Sequence, residues 1–208
     1  MENYPKAWRD ALAEKQGREL CERFAEAHVA VCGAGGLGSN IAVHLARAGV
    51  GHLHIIDFDK VETTNLNRQY YFSDQIGMPK VTALKENILR ITPCCKVTAE
   101  ILRIDEATMP GLFENEDIVC EAFDKAEAKA MLANHILENH PEKILITGSG
   151  MAGTGPANDI KTRRVAGNFY VCGDGTSDVD KEESLLGSRV AVVAAHQAHL
   201  VLQLIAKK

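Results

Sequence analysis

Short apolar segments alternate with amphipathic segments along most of this chain. Residues 28–32 (HVAVC) and 52–57 (HLHIID) are apolar runs with β-branched residues, as is typical of strands buried on both faces of a sheet. Between them, Ser39 to Gly49 carries apolar side chains at helical spacing, and Gly49 is placed to end that helix. Similar runs at 96–104, 117–124 and 143–148 are separated by helical patterns. The alternation predicts an α/β, Rossmann-like fold with a mostly parallel sheet and helices on both faces.

The two ends of the chain depart from this alternation. Residues 1–27 form an amphipathic helical segment that Gly17 interrupts. Residues 158–175 (NDIKTRRVAGNFYVCGDG) suggest two strands with a turn at Ala166-Gly167, and the pair is expected to be antiparallel. The acidic stretch at about 173–184 is predicted to be a short crossover loop on the surface, and 185–208 a long apolar helix. We expect a single domain over 1–208, because this length suffices for one full core.

A glycine-rich turn follows the first strand, within the stretch from Val29 to Asp59. It contains four glycines that allow a tight turn and a close approach to phosphate, at positions Gly33, Gly35, Gly36 and Gly38. Asp57 closes the second strand, 24 residues after Gly33, where an acidic residue can bind a ribose hydroxyl. The arrangement predicts a nucleotide site with phosphate at a helix N-terminus. Taken alone, it also fits an NAD(P)-dependent oxidoreductase.

Polar and charged residues follow the second strand and continue to the next helix. Asp59 precedes a loop in which amide and guanidinium groups crowd into five residues, namely Asn65, Asn67, Arg68 and Gln69 around one leucine. Phosphate oxygens favour several such donors. Lys80 lies at a predicted helix N-terminus, where a cation opposes the helix dipole and a bound phosphate would offset it. Asp124 ends a buried strand at the edge where open α/β sheets bind ligands.

The set GAGGLGS, DFD, NLNRQ and GMPK, followed by a strand that ends in Asp124, resembles the ubiquitin-activating-enzyme-like adenylyltransferases (the ThiF, MoeB and HesA group). The resemblance runs from about Glu19 to about Leu204. It implies that Gly36, Asp57 and the polar loop hold ATP. It further implies that Arg68 is a catalytic arginine, that Lys80 binds phosphate and that Asp124 holds Mg²⁺. In these enzymes an arginine from the N-terminal segment of the partner subunit also contributes to the site. A gapless match aligns Arg9 with that arginine.

The chain also departs from many members of that group. It has no pair of CxxC motifs, so we expect no zinc. The crossover loop is short, and Cys172 is the nearest thiol that could serve in sulfur transfer. The short length resembles the compact thiamine-biosynthesis branch, ThiF family 2.

The resemblance implies an ATP-dependent adenylyltransferase. Its expected substrate is the C-terminal glycine carboxylate of a small ubiquitin-fold sulfur-carrier protein that ends in Gly-Gly (ThiS-like), in thiamine thiazole biosynthesis. The products are an acyl-adenylate and pyrophosphate. We expect a homodimer and a cysteine desulfurase or other sulfur donor as a partner. The same chemistry could act on another carboxylate or on a tRNA acceptor, and the nicotinamide alternative would leave Asn65 to Gln69, Lys80 and Asp124 unexplained.

Composition indicates the cellular compartment in which this protein is expected to work. The net charge of −5 suggests no general affinity for nucleic acid, and no apolar run reaches the length of a membrane span. The N-terminus lacks the apolar core of a signal peptide, and the six cysteines show no paired spacing. A cytoplasmic protein is the simplest expectation.

Overall fold

The computed structural model describes residues 4–182 and 184–207, without the side chains of Tyr4, Asp180 and Glu182. Parts of three predicted segments therefore lie outside the described residues, namely residues 1–3 of the N-terminal segment, Glu183 of the crossover loop and Lys208.

A seven-stranded sheet forms the centre of the described chain, in the order β3-β2-β1-β4-β5-β7-β6. The strands are β1 (His28–Cys32), β2 (His52–Ile56), β3 (Lys96–Glu100), β4 (Ile118–Glu121), β5 (Ile144–Gly148), β6 (Lys161–Ala166) and β7 (Phe169–Gly173). All neighbours pair in parallel except β6, which is antiparallel to β7. The order reverses between β1 and β4, and such a switch point is where open α/β sheets bind ligands. The predicted fold class is confirmed.

Helices cover both faces of this sheet. They are α1 (Tyr4–Gln16), α2 (Arg18–Glu26), α3 (Gly36–Ala48), α4 (Lys80–Ile91), α5 (Ala126–Asn139), α6 (Val179–Glu182) and α7 (Gly187–Ala206). Gly17 separates α1 from α2 at φ 89°, which confirms the predicted interruption. Gly49 ends α3 in the left-handed conformation, as predicted.

Three boundaries differ from the sequence prediction. β3 ends at Glu100 instead of 104. Among the described residues its one neighbour is β2, and that strand ends at Ile56, the partner of Glu100. α3 begins at Gly36, three residues before Ser39, so the glycine turn itself starts the helix. The crossover loop contains the short helix α6.

One side of the sheet is covered mainly by α3 and α7, which pack against each other at the centre of the larger apolar cluster. α7 contributes Val190, Val193, Ala194, Ala198 and Val201 to that cluster. Contrary to the sequence expectation, α7 is long and apolar enough to cross a membrane by length and composition. Half of the most apolar 18-residue stretch of α7 is buried inside the fold, as is expected for a helix that packs on the core.

A histidine between two glutamates is buried on the opposite side of the sheet. His54, in β2, places its Nδ1 atom 2.9 Å from Oε1 of Glu116 and its Nε2 atom 3.3 Å from Oε1 of Glu100. Burial lowers the pKa of His54, but the hydrogen bond and charge of Glu116, with Glu100, outweigh it, so that the pKa is raised. The sequence analysis did not identify this group of side chains.

The pH dependence of stability should reveal this buried pair. Because the pKa of His54 is raised in the folded state, its contribution is complete below the unfolded pKa and is lost as pH rises through the folded pKa. Glu116→Gln should remove that contribution, on the order of 1.5–3 kcal/mol for a hydrogen bond to a charged group. Urea unfolding at a series of pH values would measure this contribution. The difference in the free energy of unfolding between wild type and variant should be largest at acid pH. A difference that is constant with pH would contradict the assignment.

Candidate nucleotide-binding site

The turn after β1 can be built only with glycine at two of its positions. Gly33 has φ 98°, and a Cβ atom there would lie 2.8 Å from the carbonyl oxygen of Ala122. A Cβ atom on Gly38 would lie 1.8 Å from the carbonyl oxygen of Gly33. The first turn of α3 therefore packs directly on the strand end, and its backbone N–H groups face the carboxyl edge of the sheet.

Asp57 holds this turn in place. Its Oδ2 atom accepts a 2.6 Å hydrogen bond from the backbone N–H of Ala34, and its Oδ1 atom accepts one of 2.7 Å from the N–H of Asp59. On the other side of the turn, the Tyr71 hydroxyl donates to the carbonyl oxygen of Ala34 at 2.7 Å. Each carboxylate oxygen has a second acceptor position, so Asp57 can support the turn and still accept from a ribose hydroxyl.

Gly35 and Gly36 are bordered by the side chains that the polar loop supplies. A Cβ atom on Gly35 would meet only the Gln69 amide nitrogen, at 3.9 Å, so the backbone is open to a ligand there. The methylene groups of Arg68 lie beside Gly36. Gln69 is 8% exposed and its Oε1 atom has no hydrogen-bond partner within the described chain. A guanidinium and an amide thus flank the predicted phosphate position.

Lys80 and Asp59 form an ion pair beside the loop. Lys80 is 7% exposed, and its Nζ atom lies 2.8 Å from Oδ2 of Asp59, which is half-exposed. The backbone N–H of Lys80 also donates to the carbonyl oxygen of Asp59 at 2.9 Å. The carboxylate thus offsets the cation at the N-terminus of α4, a partner that the sequence prediction did not anticipate.

Asn65 and Asn67 shape the polar loop through hydrogen bonds within the chain. The Oδ1 atom of Asn65 accepts a 2.9 Å hydrogen bond from the N–H of Glu62 and closes a capping box. Asn67 donates to the carbonyl oxygen of Leu185 and accepts from the Arg68 guanidinium at 2.8 Å. Both amides order the backbone that presents Arg68, which further anchors to the carbonyl oxygen of Thr64.

Asp124 lies beyond β4, in the turn that touches Gly33 through Ala122. Its side chain is exposed and makes no hydrogen bond or ion pair in the part of the chain that the structure describes. Mg²⁺ commonly binds through one or two carboxylates together with substrate phosphates, so a free carboxylate at this edge fits the ion. No group of three or more metal-ligating side chains occurs among the described residues.

A buried ion pair under the site was missed by the sequence analysis. The Lys129 Nζ atom, from α5, lies 2.9 and 3.1 Å from the two carboxylate oxygens of Glu121 and donates to the carbonyl oxygen of Gly148 at 3.0 Å. The N–H of Phe123 donates to Glu121 at 2.6 Å. Burial raises the pKa of Glu121, and these donors oppose that shift. The pair therefore links β4, α5 and β5 beneath the turn that carries Asp124.

Two predicted residues do not join the site within one chain. Arg9 is exposed on α1, whose Leu12 packs near Gly49, the residue that ends α3. Gly49 itself lies about 20 Å from the glycine turn, which is the length of α3. The Cys172 thiol is buried in β7, and burial raises its pKa. Because a protonated, buried thiol is a poor nucleophile, the geometry does not support sulfur transfer at Cys172.

The glycine turn, Asp57 and the flanking cations define a nucleotide-binding α/β protein, and comparison with known proteins narrows this class. Residues 9–208 match the ThiF family, so the chain belongs to that family.

The curated relatives include two bacterial enzymes that differ in the reaction for which they are named. The tRNA threonylcarbamoyladenosine dehydratase of Escherichia coli is 35% identical over 156 residues, which is 71% of this chain and 56% of that protein. The molybdopterin-synthase adenylyltransferase of Salmonella typhimurium is 37% identical over 112 residues, 53% of this chain and 45% of that protein. The chain thus spans about half the length of the curated relatives it matches.

A solved structure supports the fold. The crystal structure of the Escherichia coli dehydratase in complex with AMP superimposes with a TM-score of 0.86, at 24% identity, over 97% of this chain and 96% of that one.

Proposed function

We propose that this protein uses ATP to adenylate a carboxylate and releases pyrophosphate. The observation that carries the proposal is the open backbone at Gly35, near the Gln69 and Arg68 side chains, with the Lys80–Asp59 pair connected to the same turn through Asp57. A hydride-transfer enzyme would not need this concentration of phosphate-directed donors. The AMP complex of the related dehydratase supports an adenine nucleotide as the ligand.

The chain's side chains would act by positioning and by charge stabilisation. A carboxylate oxygen attacks the α-phosphorus, the bond to the pyrophosphate oxygen breaks, and an acyl-adenylate and pyrophosphate result. Because an anion approaches a polyanion, Arg68 and Lys80 would offset their repulsion and stabilise negative charge on the phosphates. Asp57 would orient the ribose. Mg²⁺ held by Asp124 would supply further charge neutralisation.

For the acceptor, we propose a carboxylate carried by a modified tRNA. The support is the relative named a tRNA threonylcarbamoyladenosine dehydratase, which matches more of this chain than the molybdopterin-synthase adenylyltransferase does. The C-terminal carboxylate of a ubiquitin-fold carrier protein is the second candidate, because the latter relative is named for molybdopterin synthase. The thiamine-specific carrier expected from the short length stays a prediction.

Exchange of radiolabelled pyrophosphate into ATP tests the proposal. The full chain would be assayed with Mg²⁺ in three arms: without acceptor, with tRNA carrying N6-threonylcarbamoyladenosine, and with a carrier protein ending in Gly-Gly. We expect exchange that depends on the modified tRNA and is absent with unmodified tRNA. Pyrophosphate exchange that occurs with the carrier protein and not with the modified tRNA would make the carrier protein the favoured acceptor. Absence of exchange in every arm, together with tight NAD binding, would overturn the proposal.

We further propose a homodimer in which Arg9 completes the partner's nucleotide site, since α1 holds Arg9 far from the glycine turn of its own chain. Arg9→Ala and Lys80→Ala should each be inactive in isolation. Co-refolding the two variants should restore up to about a quarter of wild-type exchange, because half of the dimers are mixed and each mixed dimer has one intact site. Variant Arg9→Ala with full activity, or a strictly monomeric protein, would contradict this arrangement.

A further inference from the structure

A second polar cleft, of about 520 Å³, lies at the carboxyl ends of β5 and β7, apart from the glycine turn. It is lined by Ala152, Gly155, Asp159, Lys161, Arg163, Asp174, Thr176, Ser177 and Arg189. No side chain of this lining is aromatic, and most are polar or charged. The cleft therefore suits a charged ligand group better than a stacked base or an apolar chain.

Two of the charged side chains in this cleft, Arg189 and Asp174, pair with each other. Arg189 is 7% exposed; it forms an ion pair of 2.5 Å with Asp174 and donates to the carbonyl oxygens of Gly155 and Pro156. Burial raises the pKa of Asp174, but the N–H groups of Ser177 and Thr176, with the Arg189 guanidinium, hold it well below its usual range. These two opposite charges thus satisfy each other.

Two cationic side chains of the cleft have no such partner. Lys161 and Arg163 are exposed on β6, and neither side chain makes a hydrogen bond or an ion pair within residues 4–182 and 184–207. Asp159 is the one other carboxylate among the lining residues. Because Lys161 and Arg163 are two positions apart in a strand, they point to the same face with about 7 Å between their Cα atoms. Both can therefore contact one extended anionic chain.

The cleft adjoins the nucleotide site through the first turn of α7. Arg189 lines the cleft, while the next residue, Val190, lies against Gly36 of the glycine turn, 3.0 Å from where a Cβ atom would be. The carbonyl oxygen of Asn67, in the polar loop, packs against Gly187 at the start of the same helix. A molecule that fills the cleft is thus placed to send one end over α7 toward the α-phosphate.

We propose that Lys161 and Arg163 bind the backbone phosphates of an RNA acceptor while its carboxylate reaches ATP. This inference rests on the proposed adenylation. The reacting carboxylate is consumed at the nucleotide, so cations in a separate cleft call for a second anion. Every nucleotide of an RNA supplies one, whereas the Gly-Gly tail of a carrier protein supplies only the reacting group. The contact is to phosphate and thus independent of base sequence.

The test is RNA binding by the full chain. Fluorescence anisotropy with labelled, modified tRNA would compare wild type with the double variant Lys161→Gln/Arg163→Gln over a range of salt concentrations. We expect about a tenfold or greater loss of affinity at low salt, and a salt dependence weaker by about 1.4 in logarithmic slope, since two phosphate contacts disappear.

The matched control is Lys96→Gln/Lys207→Gln, which removes the same charge from exposed positions near the amino edge of the sheet. It should bind tRNA as wild type does. Equal losses in both double variants, no loss in the cleft variant, or no tRNA binding by wild type would overturn the inference. So would a loss of carrier-protein binding without loss of tRNA binding.

Pyrophosphate exchange separates this inference from the proposed function. If wild type exchanges with modified tRNA and the cleft variant has an unchanged KM for that tRNA, only the cleft assignment fails. If the wild-type protein shows no pyrophosphate exchange with any of the acceptors, the adenylation proposal fails. We expect the cleft variant to raise the KM for tRNA about tenfold and to leave the KM for ATP unchanged.

Discussion

Lys80→Ala is expected to lower the kcat of acceptor-dependent pyrophosphate exchange by about 10²–10³-fold, the typical effect of removing one preorganised donor. The Lys80 ammonium is almost fully buried and paired with Asp59, whose N–H donates to Asp57, the residue that holds the glycine turn. Its removal takes a cation from the phosphate site and leaves the Asp59 carboxylate unpaired there, so that repulsion of ATP is added to the loss of attraction.

Two further variants separate chemistry from folding. Lys85→Ala, in the same helix, removes a lysine that makes no ion pair within the described chain and should leave exchange unchanged. Lys80→Ala/Asp59→Asn should recover part of the loss, because it removes the unpaired carboxylate. Near-normal kcat in a folded Lys80→Ala protein would show that the phosphates bind elsewhere.

Lys129→Met is expected to lower the free energy of unfolding by about 3–5 kcal/mol, the range seen when one partner of a buried ion pair is removed. The Glu121 carboxylate is fully buried, and Lys129 is its one charged hydrogen-bond partner among the described residues. The carbonyl oxygen of Gly148 also loses a donor. Urea denaturation at neutral pH would measure the change.

The double variant Glu121→Leu/Lys129→Met is the matched control. Because it removes both charges, it should recover most of the lost stability, as is common when a whole buried pair becomes apolar. In Lys129→Met alone, the folded-state pKa of Glu121 should rise further above the unfolded value. Its folded state then binds more protons, so stability should fall as pH rises through the unfolded pKa toward the folded one. A double variant less stable than Lys129→Met would contradict this account.

The sequence predicted the fold and the glycine turn because both depend on local pattern. Buried strands, Gly33 and Gly38 leave distinct signals, and Asp57 follows from the spacing to the next strand end. Pairs of side chains that meet only when the chain folds leave no such signal in the sequence. Lys80 with Asp59, Glu121 with Lys129, and His54 with Glu116 join residues separated by 8 to 62 positions. Asn65 and Asn67 also order the polar loop, a role that their residue types alone did not predict.

The transfer of oxygen-18 from the acceptor to AMP tests the central claim most directly. Modified tRNA labelled with oxygen-18 in its carboxylate would be incubated with the protein and MgATP, and the AMP released on breakdown of the product would be analysed by mass spectrometry. If the carboxylate attacks the α-phosphorus, AMP leaves with one labelled oxygen from the acceptor. Unlabelled AMP, or release of ADP in its place, would contradict adenylation of that carboxylate.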